Sequence, residues 1–139
     1  SFRYKKNEAG AIAVTLYNPW RKAHRSYLGF ELGEILTMVY GADWKKSNQL
    51  TFIASDGYRQ TVKTEDLLEG IDDEKVGVIA YKEAGKKGFT KLWKKKKWLN
   101  PGPFYLVWGG YEAKDNWSSK DPLKWPYMLK TINLSMKKD

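Results

Sequence analysis

The apolar residues of this chain come in short runs, and nearly every run is stopped by glycine, proline, asparagine or aspartate. Residues 11–17 (Ala-Ile-Ala-Val-Thr-Leu-Tyr) are rich in β-branched side chains and end at Asn18-Pro19, the pattern of a strand followed by a turn. Residues 50–55 stop at Asp56-Gly57, and a short strand is expected over 58–63. Residues 76–81 read as a strong strand, which the loop 83–88 (Glu-Ala-Gly-Lys-Lys-Gly) is expected to turn into a strand near 89–93. Asn100-Pro101-Gly102-Pro103 reads as a rigid turn into a strand over 104–108, broken by Gly109-Gly110. A last strand is expected over 126–136, with Met128, Ile132, Leu134 and Met136 as its apolar residues. No run approaches the ~20 apolar residues that a membrane-crossing helix needs.

Two segments break this pattern with helical spacing. Leu32, Ile35, Leu36 and Val39 fall on one face of a helix over 32–40, with Gly41 as its C-terminal cap. Thr64 reads as the N-cap of a short second helix ending at Gly70, with Glu65 and Asp66 at the positive end of its dipole. Residues 19–30 read as a loop anchored by Trp20, Tyr27 and Phe30. Six or seven strands and two short helices predict an α+β fold with strands dominating, as a mixed or barrel-like sheet. A length of 139 residues predicts one domain over 1–139, with a core spanning about 11–135. Seven Trp, nine Tyr and five Phe supply that core and exclude a disordered chain. Ser1 in place of Met is expected of a processed or trimmed chain.

The net charge of +9 is unevenly spread. Residues 1–70 carry +2 and residues 71–139 carry +7. Segment 82–98 alone holds Lys82, Lys86, Lys87, Lys91, Lys94, Lys95, Lys96 and Lys97 against Glu83. Such a patch can steer an acidic protein, a polyanion or an anionic surface, or simply form a solvated hairpin that keeps the chain soluble. All four arginines (Arg3, Arg21, Arg25, Arg59) lie outside it. Guanidinium forks are the usual tool of phosphate and guanine readout, so nucleic acid is the weaker expectation. Trp93 and Trp98 flank the four-lysine run, but their odd separation puts them on opposite faces of a strand unless the run is a turn.

Several chemistries are excluded or have simpler explanations. The absence of cysteine removes disulfides, thiol nucleophiles and thiolate metal sites. His24 is the only histidine, and Arg21, Lys22 and Arg25 around it disfavour both a metal and a catalytic base, leaving a surface residue. Glu31 and Glu34 at a helix start suit the dipole better than paired-carboxylate catalysis. Asp72-Asp73-Glu74 lacks the spaced oxygen ligands of a calcium loop. Gly109-Gly110 lacks the further glycines and the Lys-Ser/Thr of a phosphate loop.

Four segments, in order, match a known pattern. Residues 27–36 read Tyr-Leu-Gly-Phe-Glu-Leu-Gly-Glu-Ile-Leu; residues 50–58 run as a strand into Ser55-Asp56-Gly57-Tyr58, followed by the helix start 64–68. Residues 102–108 read Gly-Pro-Phe-Tyr-Leu-Val-Trp, and residues 125–132 close with Trp-Pro-Tyr-Met-Leu-Lys-Thr-Ile. Together they resemble the oxidoreductase molybdopterin-binding domain, the sulfite-oxidase-like fold, and within it a bacterial subgroup that also occurs fused to c-type cytochrome domains. The resemblance implies that fold and an exported, periplasmic location. It also implies a cysteine ligand to molybdenum in the loop after the first core strand. Here that loop reads Leu16-Tyr17-Asn18-Pro19-Trp20-Arg21-Lys22 and offers no thiolate.

The expectation is therefore a non-catalytic binding or accessory domain with no cofactor. It would dock an acidic or electron-transfer partner, such as a c-type cytochrome, through Lys86, Lys87, Lys91, Lys94, Lys95, Lys96 and Lys97. A ligand pocket is expected between the Asp56-Gly57-Tyr58 turn and the Gly102-Pro103 turn, closed by Tyr17, Asn18 and Trp20. The competing expectation is that these aromatics fill the space a cofactor would take. Two alternatives remain: an oxidoreductase domain holding a pterin (molybdopterin) without the thiolate, and a polyanion- or nucleic-acid-binding domain acting through the lysines of 82–97.

Overall fold

The chain begins its fold with β1 (Lys5–Lys6) and β2 (Ile12–Asn18), which pair antiparallel. The computed structural model describes residues 5–6 and 10–136; Arg3 lies outside them. Along β2, Ile12, Val14, Leu16 and Asn18 are buried while Ala13 and Thr15 are exposed, the period of two that a one-sided strand requires. Residues 19–30 are not a loop. The turn is complete by Lys22, with the Arg21 N–H donating to the Asn18 carbonyl (3.1 Å), and β3 (Ala23–Glu31) pairs back along the whole of β2. The polar run 24–26 hides this strand because its end of the hairpin is incompletely buried; only Tyr27 and Gly29 are fully inside. Gly29 permits the close approach of the next strand: a Cβ there would lie 2.7 Å from Ala80 Cα and against the Ile79 carbonyl.

α1 (Leu32–Tyr40) follows directly, capped by the Glu31 carboxylate, which accepts from the Gly33 N–H (2.9 Å). Leu32 and Leu36 are buried and Ile35 packs beside them, but Val39, expected on the same face, is exposed. The chain leaves the helix at Gly41, whose N–H donates to the Thr37 carbonyl (2.8 Å). A 3-10 helix (Ala42–Lys46) drops Trp44 into the core, where its indole N–H donates to the Thr37 hydroxyl (2.9 Å). A ring of this size buried with its donor satisfied contributes about 4–6 kcal/mol by area.

β4 (Ser47–Ala54) and β5 (Arg59–Lys63) form a hairpin around Asp56-Gly57, and α2 (Thr64–Asp72) continues from it. The helix cap is Lys63, not Thr64: the Thr64 hydroxyl is buried against the Ser47 hydroxyl (2.7 Å) and is spent there. Nor does Gly70 end α2. It lies inside the helix, where a Cβ would come within 2.7 Å of Leu123 Cδ1, so close packing explains the glycine.

The remaining strands are β6 (Val76–Glu83), β7 (Leu92–Lys94), β8 (Lys97–Leu99), β9 (Tyr105–Gly109) and β10 (Leu129–Met136). The strand expected over 89–93 is instead a two-stranded hairpin, and the last strand starts three residues later than expected. One sheet runs β1-β2-β3-β6-β9 and curls into a half-barrel; the second runs β10-β4-β5. All ladders among the described residues are antiparallel rather than mixed; β6 reaches its neighbour β9 through the long connection that carries the separate β7–β8 hairpin. One apolar core joins the sheets: Ile12, Val14 and Leu106 from the first meet Leu50, Phe52 and Val62 from the second. The class is α+β with strands dominating. No described helix is long and apolar enough to cross a membrane.

Candidate functional site

The lysine run is the tip of the β7–β8 hairpin. Lys95 and Lys96 both have positive φ (52° and 62°), the left-handed pair that a two-residue hairpin turn requires. Two lysines there cost about 1–2 kcal/mol each relative to an extended backbone. The turn sets the register Lys94↔Lys97, Trp93↔Trp98 and Leu92↔Leu99. Trp93 and Trp98 are thus cross-strand partners on one face, with ring centroids 5.1 Å apart at 61°. They remain 60% and 63% exposed, although a tryptophan left in water forgoes a large burial gain. Lys91 and Lys94 to Lys97 are exposed around them, as are Lys86 and Lys87 on the preceding loop, while Lys82 is half-buried.

A buried acid bolts the stem of this hairpin to the first sheet. The Glu83 carboxylate accepts from the Thr90 N–H (3.0 Å) and the Thr90 hydroxyl (2.5 Å), and Lys86 Nζ lies 3.2 Å away. Arg25 approaches it at 3.9 Å, and Arg21 donates to the Thr90 carbonyl at 2.6 Å. Burial opposes the charge of Glu83, but the Thr90 donors and Lys86 more than offset it and hold the carboxyl below the usual glutamate range.

Inside the half-barrel, Asn18 is a structural hub. Its side-chain amide donates to the Tyr27 and Tyr105 hydroxyls, both at 3.1 Å, and its oxygen accepts from the Trp20 N–H (3.1 Å). Burial pushes both tyrosines above the ordinary range, with the Asn18 bond opposing it. This bond joins β2 to β9, the strands between which the curl of the sheet closes.

Against the hairpin lies a cleft of ≈ 620 Å³. One wall is Tyr58 to Thr61 at the start of β5, another is Leu92, Trp93 and Lys94 of the hairpin, and Trp20 closes one side. The far wall belongs to the irregular segment 117–127, through Trp117, Ser119, Lys124, Trp125 and Tyr127. Trp20 meets Trp117 edge to face at 4.9 Å and 72°. Lys94 Nζ sits 4.8 Å over the Tyr127 ring and ties the hairpin to that wall. The indole N–H groups of Trp117 and Trp125 are buried with no hydrogen-bond partner.

The expected pocket residues divide between these places. Trp20 and Tyr58 line the cleft together. Asn18 lies in the interior. Tyr17 points to the opposite face of β2 and meets the His24 ring at 5.4 Å; His24 is exposed, on a strand rather than a loop. Asp56 accepts from the Tyr58 N–H (3.0 Å), and with Gly57 (φ 88°) shapes the turn that presents Tyr58. Gly102 and Pro103, joined by a cis peptide, do not line the cleft. The two turns are neighbours through Met128: Ser55 N–H donates to its carbonyl (2.8 Å), and its own N–H donates to the Pro101 carbonyl. The wall supplied by Trp117, Trp125 and Tyr127 was not anticipated. The one signal was an excess of tryptophan in a stretch with no strand or helix period.

No His/Cys/Asp/Glu cluster among the described residues could hold a metal ion, and the loop Leu16–Lys22 offers only a buried, fully engaged Asn18 where a thiolate would be needed. These residues do not fit a molybdenum centre of the cysteine-ligated kind. No family model matches the chain, and no curated protein matches it.

Proposed function

We propose that the chain is a non-catalytic binding domain, a bacterial and exported relative of the sulfite-oxidase-like molybdopterin-binding fold. It docks an acidic electron-transfer protein, such as an acidic c-type cytochrome, through the β7–β8 hairpin. The order of the sequence motifs supports the family reading, and the lack of cysteine argues against its metal chemistry. The observation that carries the docking reading is the hairpin face itself. Two exposed tryptophans pair at 5.1 Å inside a ring of lysines, which is the anatomy of an interface hot spot with a steering rim.

The test is association with an acidic c-type cytochrome across a salt series. Changing Lys94, Lys95, Lys96 and Lys97 together to Glu should slow association about tenfold or more and flatten its salt dependence, with the fold intact by circular dichroism. An unchanged rate and salt slope would reduce the patch to a solvated face. A second reading, polyanion or single-stranded nucleic-acid binding, gains from the shared face of Trp93 and Trp98 and loses from the lack of arginine. An oligonucleotide bound more tightly than the cytochrome at equal salt would favour it. The pterin alternative has the least support, since nothing in the cleft or the loop Leu16–Lys22 supplies the family's metal ligand.

A further inference from the structure

We infer that the cleft beside the hairpin is a binding site for an acidic oligosaccharide, a ligand distinct from the protein partner of the hairpin tip. Three observations carry this. The first is an excess of positive charge. Arg59, Lys94 and Lys124 line the cleft against a single acid, Asp121. That acid is already engaged, accepting from the Tyr111 hydroxyl (3.1 Å) and the Leu123 N–H (2.9 Å). The site therefore repels a cationic ligand, although its aromatic walls alone would suit one, and it favours a carboxylated one.

The second is the arrangement of the rings. Trp20 stands at 72° to Trp117, and both line the cleft. This near-perpendicular pair presents single ring faces in different directions and forms no parallel slot for a flat heterocycle, and Trp93 adds a further ring to the lining. A pyranose needs one face at a time, because it lays its C–H groups on a ring and turns its hydroxyls outward. Tyr58, 65% exposed at the mouth of the cleft, offers another such face.

The third is the supply of unused donors. Trp125 is only 4% exposed, lines the cleft, and its indole N–H has no partner, as is true of Trp117. A buried N–H left unpaired costs about 1–3 kcal/mol, so a small shift of the ring that brought this N–H to a sugar hydroxyl would recover that cost. The volume of ≈ 620 Å³ lies within the ordinary range of ligand sites.

The experiment is calorimetric titration of the whole chain with three probes: a galacturonate oligosaccharide, a neutral cello-oligosaccharide of equal length, and 2-naphthoate as a flat aromatic carboxylate. Saturable binding of the galacturonate, at least about tenfold tighter than the other two and weakening with salt, is the expected result. Tyr58→Ala should weaken it about tenfold, by removing one exposed stacking face without touching the core. Trp125→Phe keeps a ring but removes the N–H, and should weaken it several-fold. Lys95→Glu with Lys96→Glu, at the hairpin tip outside the cleft lining, should weaken galacturonate binding far less than it slows the acidic protein partner. Equal affinity for the neutral sugar, preference for 2-naphthoate, no binding of any probe, or galacturonate binding unaffected by Tyr58→Ala would each overturn the inference and leave the docking reading standing.

Discussion

Glu83→Gln isolates the device that holds the lysine hairpin in place. Glutamine keeps the size of the side chain and one acceptor oxygen, but it removes the charge. In the native protein the Thr90 N–H and hydroxyl both donate to Oε2, at 3.0 and 2.5 Å. Hydrogen bonds to a charged acceptor contribute about 1.5–3 kcal/mol where neutral ones contribute about 1, so weakening these two costs about 2 kcal/mol. Lys86 and Arg25 lose their counter-charge as well. Their side chains are 49% and 31% exposed, so solvent screens them and the added cost is at most about 1 kcal/mol. The total is about 2–3 kcal/mol at pH 7. At about 3–5 °C per kcal/mol for a chain of this size, the Tm should fall by roughly 6–15 °C.

The pH dependence supplies the sharper readout. The carboxyl of Glu83 titrates lower in the folded chain than in the unfolded one. Its stabilisation is therefore complete above the unfolded value, and is lost as the pH falls through that value toward the folded one. Urea denaturation of the two proteins, followed by tryptophan fluorescence, should show a gap that is constant near neutrality and narrows below about pH 4.3. A gap under about 0.5 kcal/mol at pH 7, or one that persists unchanged to pH 3, would refute this account of the anchor.

Two further outcomes follow from the interior. Burial raises Tyr105, and with it Tyr27, above the ordinary tyrosine range, so their contribution is fully present below about pH 10 and is lost as the pH rises beyond it. Tyr105→Phe should therefore give a shallower loss of stability between pH 9 and about 11.5 in urea titrations, and an unchanged slope would argue against the burial assignment. Chain produced in a host that makes the pterin cofactor should carry molybdenum well below stoichiometry and should not oxidise sulfite. One tightly held molybdenum per chain by elemental analysis would overturn the non-catalytic reading.

The elements read well from sequence are those whose side chains carry a period. β2 alternates buried and exposed residues, and α1 has the bounds its spacing predicts, because Leu32 and Leu36 must meet the core. β3 was hidden because its polar half faces solvent at the end of a hairpin, where packing asks little of the side chains. The β7–β8 hairpin was hidden for another reason. Its turn is Lys-Lys at positive φ in place of the asparagine and glycine that normally mark such turns, so local preference argued against the conformation that the structure adopts. The cleft was half legible. Tyr58 follows a recognisable turn and Trp20 a strand end, but their opposite wall, 117–127, has no period to read and is held by individual bonds. Among these are Trp108 Nε1–H to the Lys124 carbonyl (2.9 Å) and the Tyr111 hydroxyl to Asp121.

The placement of the cleft follows from what fills the half-barrel. Asn18 spends both donors on Tyr27 and Tyr105, and the two rings meet edge to face at 6.0 Å. Tyr105 also packs on Phe89 at 6.0 Å, just ahead of the hairpin stem that Glu83 secures. The interior between β2 and β9 is thus occupied by groups that satisfy one another, and a ligand entering there would have to break buried hydrogen bonds without replacing them. Outside that plug the balance reverses. The exposed rings of Trp20, Tyr58 and Trp93 are unfavourable until something covers them, and the indole N–H groups of Trp117 and Trp125 are buried beside them without an acceptor. The same hairpin that carries the lysines forms one wall of that surface, so the rigidity conferred by Glu83 serves both. Loosening the stem should therefore weaken partner docking and cleft binding together, whereas charge reversal at Lys95 and Lys96 should separate them.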